Sequence, residues 1–60
     1  MKYPPDVIKS WITQVNEEGR GLTAWELGFM ENITDQFERT NSLSDLQEET
    51  LERIYAHKTF

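Results

Sequence analysis

Two copies of one short motif determine where two helices begin. Residues 23–26 read Thr-Ala-Trp-Glu, and residues 44–47 read Ser-Asp-Leu-Gln. Both fit the capping box, in which the first hydroxyl accepts a hydrogen bond from the fourth backbone N–H and the fourth side chain accepts one from the first backbone N–H. A chain with two such boxes is predicted to contain at least two helices, and the apolar residues after each box determine how those helices pack.

Apolar side chains recur at helical spacing in three separate stretches, which predicts three amphipathic helices. The first stretch follows a proline pair suited to a helix entry, and two glycines end it. We therefore predict helices over about residues 5–17, 24–39 and 45–57. Their apolar faces comprise, in chain order, Val7, Ile8, Trp11, Ile12 and Val15; Trp25, Phe29, Met30, Ile33 and Phe37; and Leu43, Leu46, Leu51, Ile54 and Tyr55.

The predicted fold is all-α, a single compact three-helix domain over residues 1–60. The polar connection at residues 40–42 is short, so the last two helices are expected to form an antiparallel hairpin with the first helix across them. No segment alternates with a period of two, and no strand is predicted. The side chains expected to meet in the centre are Trp11, Phe29, Ile33 and Leu51.

The charge balance disfavours direct binding to nucleic acid. Eleven acidic and six basic side chains give a net charge of −5, which repels a phosphate backbone. The sequence has no cysteine, no signal-peptide pattern and no apolar stretch of membrane-spanning length. We expect a cytoplasmic protein without a membrane anchor.

Residues suited to catalysis are scarce. The only histidine, His57, lies near the end of the third predicted helix, where an imidazole complements the helix dipole. Glu31, Asp35 and Glu38 share a helical face, but the Glu-x-x-His pairs of helical carboxylate metal sites do not occur. We expect no enzymatic activity, no cofactor and no metal site.

Two other functions remain open, one suggested by the acidic side chains and one by the helical hairpin. Glu31, Asp35 and Glu38 on one helix could align with acidic residues of the next helix, Asp45, Glu48, Glu49 and Glu52, into the continuous negative row of a nucleic-acid-mimicking inhibitor. The hairpin also invites comparison with a helix-turn-helix reader of DNA, although its second helix would then present an acidic first turn to phosphates.

Some apolar residues fall at the edges of the helical stripes or near the termini. Tyr3, Leu27, Met30 and Phe60 belong to this group, and together they would form a surface for a partner or for a second copy of the chain. The partner-binding candidates are therefore Tyr3, Leu27 and Met30, with Glu48 and Glu49 as an acidic rim.

One longer pattern supplies a biological context. Residues 22–26, Leu-Thr-Ala-Trp-Glu, are followed by Phe29 and Ile33, and Leu43-Ser44 is followed by Gln47, Leu51, Ile54 and Tyr55. The pattern resembles a helical hairpin of small phage-encoded proteins. The resemblance implies a bacterial virus or mobile element, where proteins of this size often bind a larger phage or host protein.

The leading functional hypothesis combines these observations. We expect a non-enzymatic accessory protein of a phage or mobile element that binds a protein of host or phage nucleic-acid metabolism in a bacterial cytoplasm, with homodimerisation left open. The alternatives are an acidic nucleic-acid mimic and a small nucleic-acid-binding helical module.

Overall fold

The computed structural model describes residues 2–59 and contains the three predicted helices. Helix α1 spans Pro5–Glu18, α2 spans Ala24–Thr40 and α3 spans Asp45–Lys58. Each helix begins where the sequence predicted and ends one residue later. The described part of the chain contains no strand. The predicted all-α, three-helix fold is confirmed.

Both capping boxes form as the sequence predicted. At α2, the Glu26 backbone N–H donates to the Thr23 hydroxyl at 3.1 Å, and the Thr23 N–H donates to the Glu26 carboxylate at 2.8 Å. At α3, the corresponding bonds join Gln47 and Ser44 at 3.2 and 2.9 Å. These reciprocal bonds satisfy donors that would otherwise lack a partner at the helix start, so each box fixes its helix boundary.

The helices pack as a hairpin with a third helix against it. Residues 41–44 join α2 to α3, and the side chains of Gln36 and Gln47 exchange two amide hydrogen bonds of 3.0 and 2.9 Å between these helices. Helix α1 contacts both other helices and makes its more extensive contact with α3. Within residues 2–59, none of the helices has the length and apolar character needed to cross a bilayer.

All three helices contribute to the buried core. Ile33 and Leu51 lie fully buried at its centre, as predicted, whereas Trp11 and Phe29 are only partly buried and pack against its edge. The prediction that all four side chains meet in the centre was therefore wrong for the two aromatic residues. The buried apolar residues are Ile8, Ile12, Val15, Met30, Ile33, Phe37, Leu43, Leu51 and Ile54.

The apolar stripe of α2 winds around the helix, which explains why the aromatic residues at its start lie away from the centre of the core. Trp25, Phe29, Ile33 and Phe37 recur every four residues. A helix with 3.6 residues per turn rotates about 40° beyond a full turn at each such step. Trp25 and Phe37 are thus separated by about 120° around the axis, too far for both to face the core. Phe37 is buried, and Trp25 is 65% exposed.

A similar angular offset displaces Leu46 from the predicted buried face of α3. It precedes Leu51 by five residues, which places the two side chains about 140° apart around the helix. Leu51 is fully buried, and Leu46 is 73% exposed. Glu48, three residues before Leu51, lies on the core side instead.

Candidate functional site

An aromatic patch lies at the N-terminal end of α2. It consists of Ala24, Trp25, Gly28, Phe29 and Asn32, which line a shallow cavity of about 290 Å³. The rings of Trp25 and Phe29 stack with centroids 5.3 Å apart and planes 12° from parallel. All five residues are uncharged in a chain with a net charge of −5. The aromatic patch is therefore a neutral, apolar surface suited to contact with another apolar surface.

Gly28 shapes the aromatic patch through the space it leaves. A Cβ atom built at this position would meet no atom within 4 Å. The glycine is therefore not required by close packing inside the domain, although it costs about 1 kcal/mol relative to alanine in a helix. Its effect is to leave open space beside Trp25 and Phe29 in the shallow cavity.

A second surface, the acidic groove, lies where the end of α1 and the following loop meet α2. Its volume is about 440 Å³. Val15 and Met30 are buried at its floor, while Leu27 is 55% exposed at its edge. The other lining residues are Asn16, Gly19, Leu22, Glu31, Thr34, Asp35 and Glu38.

Three carboxylates of α2 give the acidic groove its charge. Asp35 forms an ion pair with Arg39, with an N–O distance of 2.6 Å, but both side chains are largely exposed and the pair contributes little to stability. Within residues 2–59, Glu31 and Glu38 form no ion pair. The acidic groove thus combines an apolar floor with a negatively charged rim.

Glu48, predicted as part of an acidic rim, is buried instead. Only 2% of its surface is exposed, and its carboxylate accepts hydrogen bonds from the backbone N–H groups of Lys2 and Tyr3 at 2.7 and 3.2 Å. Two donors satisfy the buried charge and hold the N-terminal segment against α3. Its assignment to a partner-binding surface was wrong, because the side chain is already occupied within the fold.

Tyr3 belongs to an aromatic cluster rather than to an open surface. Its ring packs edge-on against Trp11 with centroids 4.7 Å apart, and Trp11 stacks on Tyr55 at 5.3 Å. The neighbouring Glu52 carboxylate raises the pKa of Tyr3, because an acceptor oxygen and a negative charge near the hydroxyl both favour the neutral phenol. Tyr3 is half-buried, so its main contacts lie within the domain.

The predicted candidate residues do not form one site. Leu27 and Glu49 are exposed, and Met30 is buried beneath the acidic groove, so its predicted place at an exposed edge was wrong. Phe60 lies outside the described residues. Sequence reasoning assigned Trp25 and Phe29 to the core and so missed the aromatic patch. The four-residue spacing of the stripe was the signal that its first residue, Trp25, turns away from the core.

Within residues 2–59, no three His, Asp or Glu side chains gather closely enough to hold a metal ion. His57 is exposed in the last turn of α3. Comparison with known proteins gives no match: no family model, no curated protein and no solved structure matches the chain.

Proposed function

We propose that this chain is a non-enzymatic protein-interaction module that binds a larger protein through its aromatic patch. The observation that supports this most directly is the 65% exposure of Trp25 in a stack with Phe29. Tryptophan is enriched among the residues that dominate binding energy, and truncating such a residue typically costs 2 kcal/mol or more of binding free energy, roughly a 30-fold loss of affinity. A partner that covers the aromatic patch removes this apolar surface from water.

The proposed biological setting is a phage or mobile element acting in a bacterial cytoplasm. The resemblance to small phage-encoded helical hairpins supports this setting, and the partner would be a host or phage protein of nucleic-acid metabolism. The neutral aromatic patch supplies affinity in this proposal, and the surrounding negative charge accelerates encounter with a basic partner.

Affinity capture tests the proposal. Immobilised wild-type chain and the Trp25→Ala variant are incubated with lysates of host and infected cells, and retained proteins are identified by mass spectrometry. The matched control is Leu46→Ala, which removes another exposed apolar side chain outside the aromatic patch. We expect a partner that wild type and Leu46→Ala retain and Trp25→Ala loses. Retention of the same partner by the wild type and both variants would contradict the proposal, as would enzymatic turnover by the purified chain.

Homodimerisation is the nearest alternative use of the aromatic patch. Sedimentation equilibrium of the wild type and of Trp25→Ala separates the two cases. A dimer that Trp25→Ala converts to a monomer would identify a second copy of the chain as the occupant of the aromatic patch.

The acidic-mimic hypothesis retains one supporting observation, the row of Glu31, Asp35 and Glu38 along the acidic groove. The burial of Glu48 removes one member of the continuous row predicted across α2 and α3. A captured partner that duplex DNA displaces, and that Trp25→Ala still retains, would favour the mimic over the protein-interaction module.

Direct nucleic-acid binding is tested by fluorescence anisotropy with labelled duplex and single strands. We expect dissociation constants no tighter than millimolar, weaker than the usual non-specific range of about 10⁻⁴–10⁻⁶ M, because the net charge of −5 opposes contact with phosphates. Tight, salt-sensitive binding would instead support the third hypothesis, a nucleic-acid-binding module.

A further inference from the structure

We infer that the acidic groove is a second docking site, and that it binds a basic amphipathic helix of a partner protein. This inference concerns a surface separate from the aromatic patch, so its test does not depend on the proposed function. Its basis is the juxtaposition of exposed apolar atoms of Leu27 and Leu22 with the carboxylates of Glu31, Asp35 and Glu38.

The apolar part of the acidic groove lacks a cover within the described chain. Leu27 is 55% exposed and Leu22 is half-buried, although both line the concave surface above Val15 and Met30. Among the polar residues that line the acidic groove, the Asn16 amide donates to the Thr34 hydroxyl at 3.0 Å, and that hydroxyl donates to the Met30 carbonyl at 2.6 Å. The amide of Asn16 and the hydroxyl of Thr34 thus already have hydrogen-bond partners, and an apolar side chain can cover the leucines without leaving these two polar groups unsatisfied.

The charged rim specifies the chemistry of the occupant. Glu31, Asp35 and Glu38 follow one another at intervals of four and three residues, so they lie along one face of α2 and span about 10 Å of its axis at 1.5 Å per residue. Lysine or arginine side chains placed at the same intervals on another α-helix also lie along one face. A helix lying beside α2 therefore pairs its cations with Glu31 and Glu38, competes with Arg39 for Asp35, and covers Leu22 and Leu27 with its apolar stripe.

The same features argue against other ligands. The carboxylates repel phosphate groups, which disfavours nucleic acid in the acidic groove. They belong to no group of three side chains able to hold a metal ion within residues 2–59. A polycation without apolar residues would satisfy the rim and leave the leucines uncovered. The combination of both features selects an amphipathic, basic segment.

The test uses a fluorescein-labelled synthetic peptide of about five helical turns, with leucines on one stripe flanked by lysines at intervals of four and three residues. A scrambled peptide of identical composition is the peptide control. Fluorescence anisotropy measures the affinity of the full chain for each peptide at low and physiological salt. We expect saturable binding of the amphipathic peptide and much weaker binding of the scrambled one.

Variants of the chain locate the binding. The triple variant Glu31→Gln, Asp35→Asn, Glu38→Gln should weaken binding about tenfold and flatten its salt dependence, because it removes the rim charges. Leu27→Ser should weaken binding at every salt concentration, because it removes the apolar contact. The matched charge control is Asp6→Asn, Asp45→Asn, Glu49→Gln, which makes the same change in net charge at exposed positions outside the acidic groove and should retain binding.

Circular dichroism establishes that every variant is folded. The inference is overturned if the amphipathic peptide does not bind, if the scrambled peptide binds equally well, or if both triple variants lose affinity to the same extent. Trp25→Ala should bind the peptide like the wild type, so a failure of the aromatic patch as a binding site leaves this result intact.

Discussion

The chain contains two tryptophan stacks of nearly the same geometry, and they lie in opposite environments. Trp11 stacks on Tyr55 and Trp25 stacks on Phe29, both with ring centroids 5.3 Å apart. The first stack joins α1 to α3 and also contacts Tyr3 of the N-terminal segment. The second joins two residues of the same helix, one turn apart, and Trp25 is mostly exposed to solvent.

This difference in environment implies different roles for the two stacks, one in stability and the other in binding. A contact between elements distant in the sequence is lost when the fold opens, so the Trp11 stack contributes to tertiary stability. A pair at positions i and i+4 of one helix contributes only about 0.2–0.5 kcal/mol to that helix. Ring geometry alone therefore does not indicate the role of either tryptophan. The roles differ because the Trp11 stack connects two helices and the Trp25 stack lies within one helix.

The largest expected effect comes from replacing the two tryptophans separately. Trp11→Ala should lower the free energy of unfolding by about 2–4 kcal/mol, near the lower end for buried aromatic residues because the ring is partly exposed. Trp25→Ala should change it by less than about 0.5 kcal/mol, as is usual for surface substitutions. Urea denaturation of both variants measures the difference, and equal losses would mean that the two stacks play the same structural role.

The second-largest effect should come from removing the carboxylate of Glu48, which holds the N-terminal segment and so supports the aromatic cluster of Tyr3, Trp11 and Tyr55. Glu48→Ala deletes two hydrogen bonds from backbone N–H groups to a buried charged group, and we expect a loss of about 2 kcal/mol in unfolding free energy. The adjacent Glu49→Ala is the matched control, because Glu49 is exposed. If both variants melted at the same urea concentration, the contacts of Lys2 and Tyr3 with α3 would not contribute to stability.

The caps should give smaller effects that are equal at the two helices. Thr23→Ala and Ser44→Ala each remove a hydroxyl that accepts the N3 backbone N–H, and each should lower stability by about 0.5–2 kcal/mol. Aspartate at either position should restore most of the loss, because its carboxylate accepts the same bond. Unchanged denaturation midpoints for both alanine variants would show that the boxes do not stabilise the helix starts.

The smallest expected effect is a dependence of the free energy of unfolding on pH in the acidic range. The Thr23 backbone N–H bound to the carboxylate lowers the pKa of Glu26, and the nearby Lys58 ammonium lowers it further. The carboxylate therefore stabilises the fold above the ordinary glutamate pKa, and this contribution is lost as the pH falls through the lowered pKa. Thermal melts across this acidic range should show a shallower loss for Glu26→Gln, whose amide still accepts the Thr23 bond; an identical pH profile for both proteins would contradict the assignment.

The helix boundaries were predictable because they depend on residues adjacent in the chain. Thr23 with Glu26 and Ser44 with Gln47 form their hydrogen bonds within one turn, whatever the tertiary packing. The orientation of α2 was not predictable in the same way, since it depends on which part of a winding stripe α1 and α3 cover. Met30 is buried and Trp25 is exposed for that reason.

The candidate site was the least predictable part. Glu48 follows the core face of α3, but its burial requires two backbone donors from residues 2 and 3, which no local pattern reveals. Leu27, which the sequence placed at the edge of a helical stripe, is 55% exposed. The acidic groove around it depends on the position of the end of α1, so its shape emerges only when the helices pack.

Helix α3 bonds at both ends to segments made much earlier during synthesis. Glu48 accepts from residues 2 and 3, while the Lys58 carbonyl accepts the Arg20 N–H at 2.8 Å and its ammonium donates to the Gly21 carbonyl at 3.0 Å. On the ribosome, α1 and α2 therefore emerge before these partners exist. The loop from residues 2 and 3 closes only after Glu48 has left the exit tunnel, and the loop from Arg20 closes only after Lys58 has, so both contacts of α3 form late in synthesis.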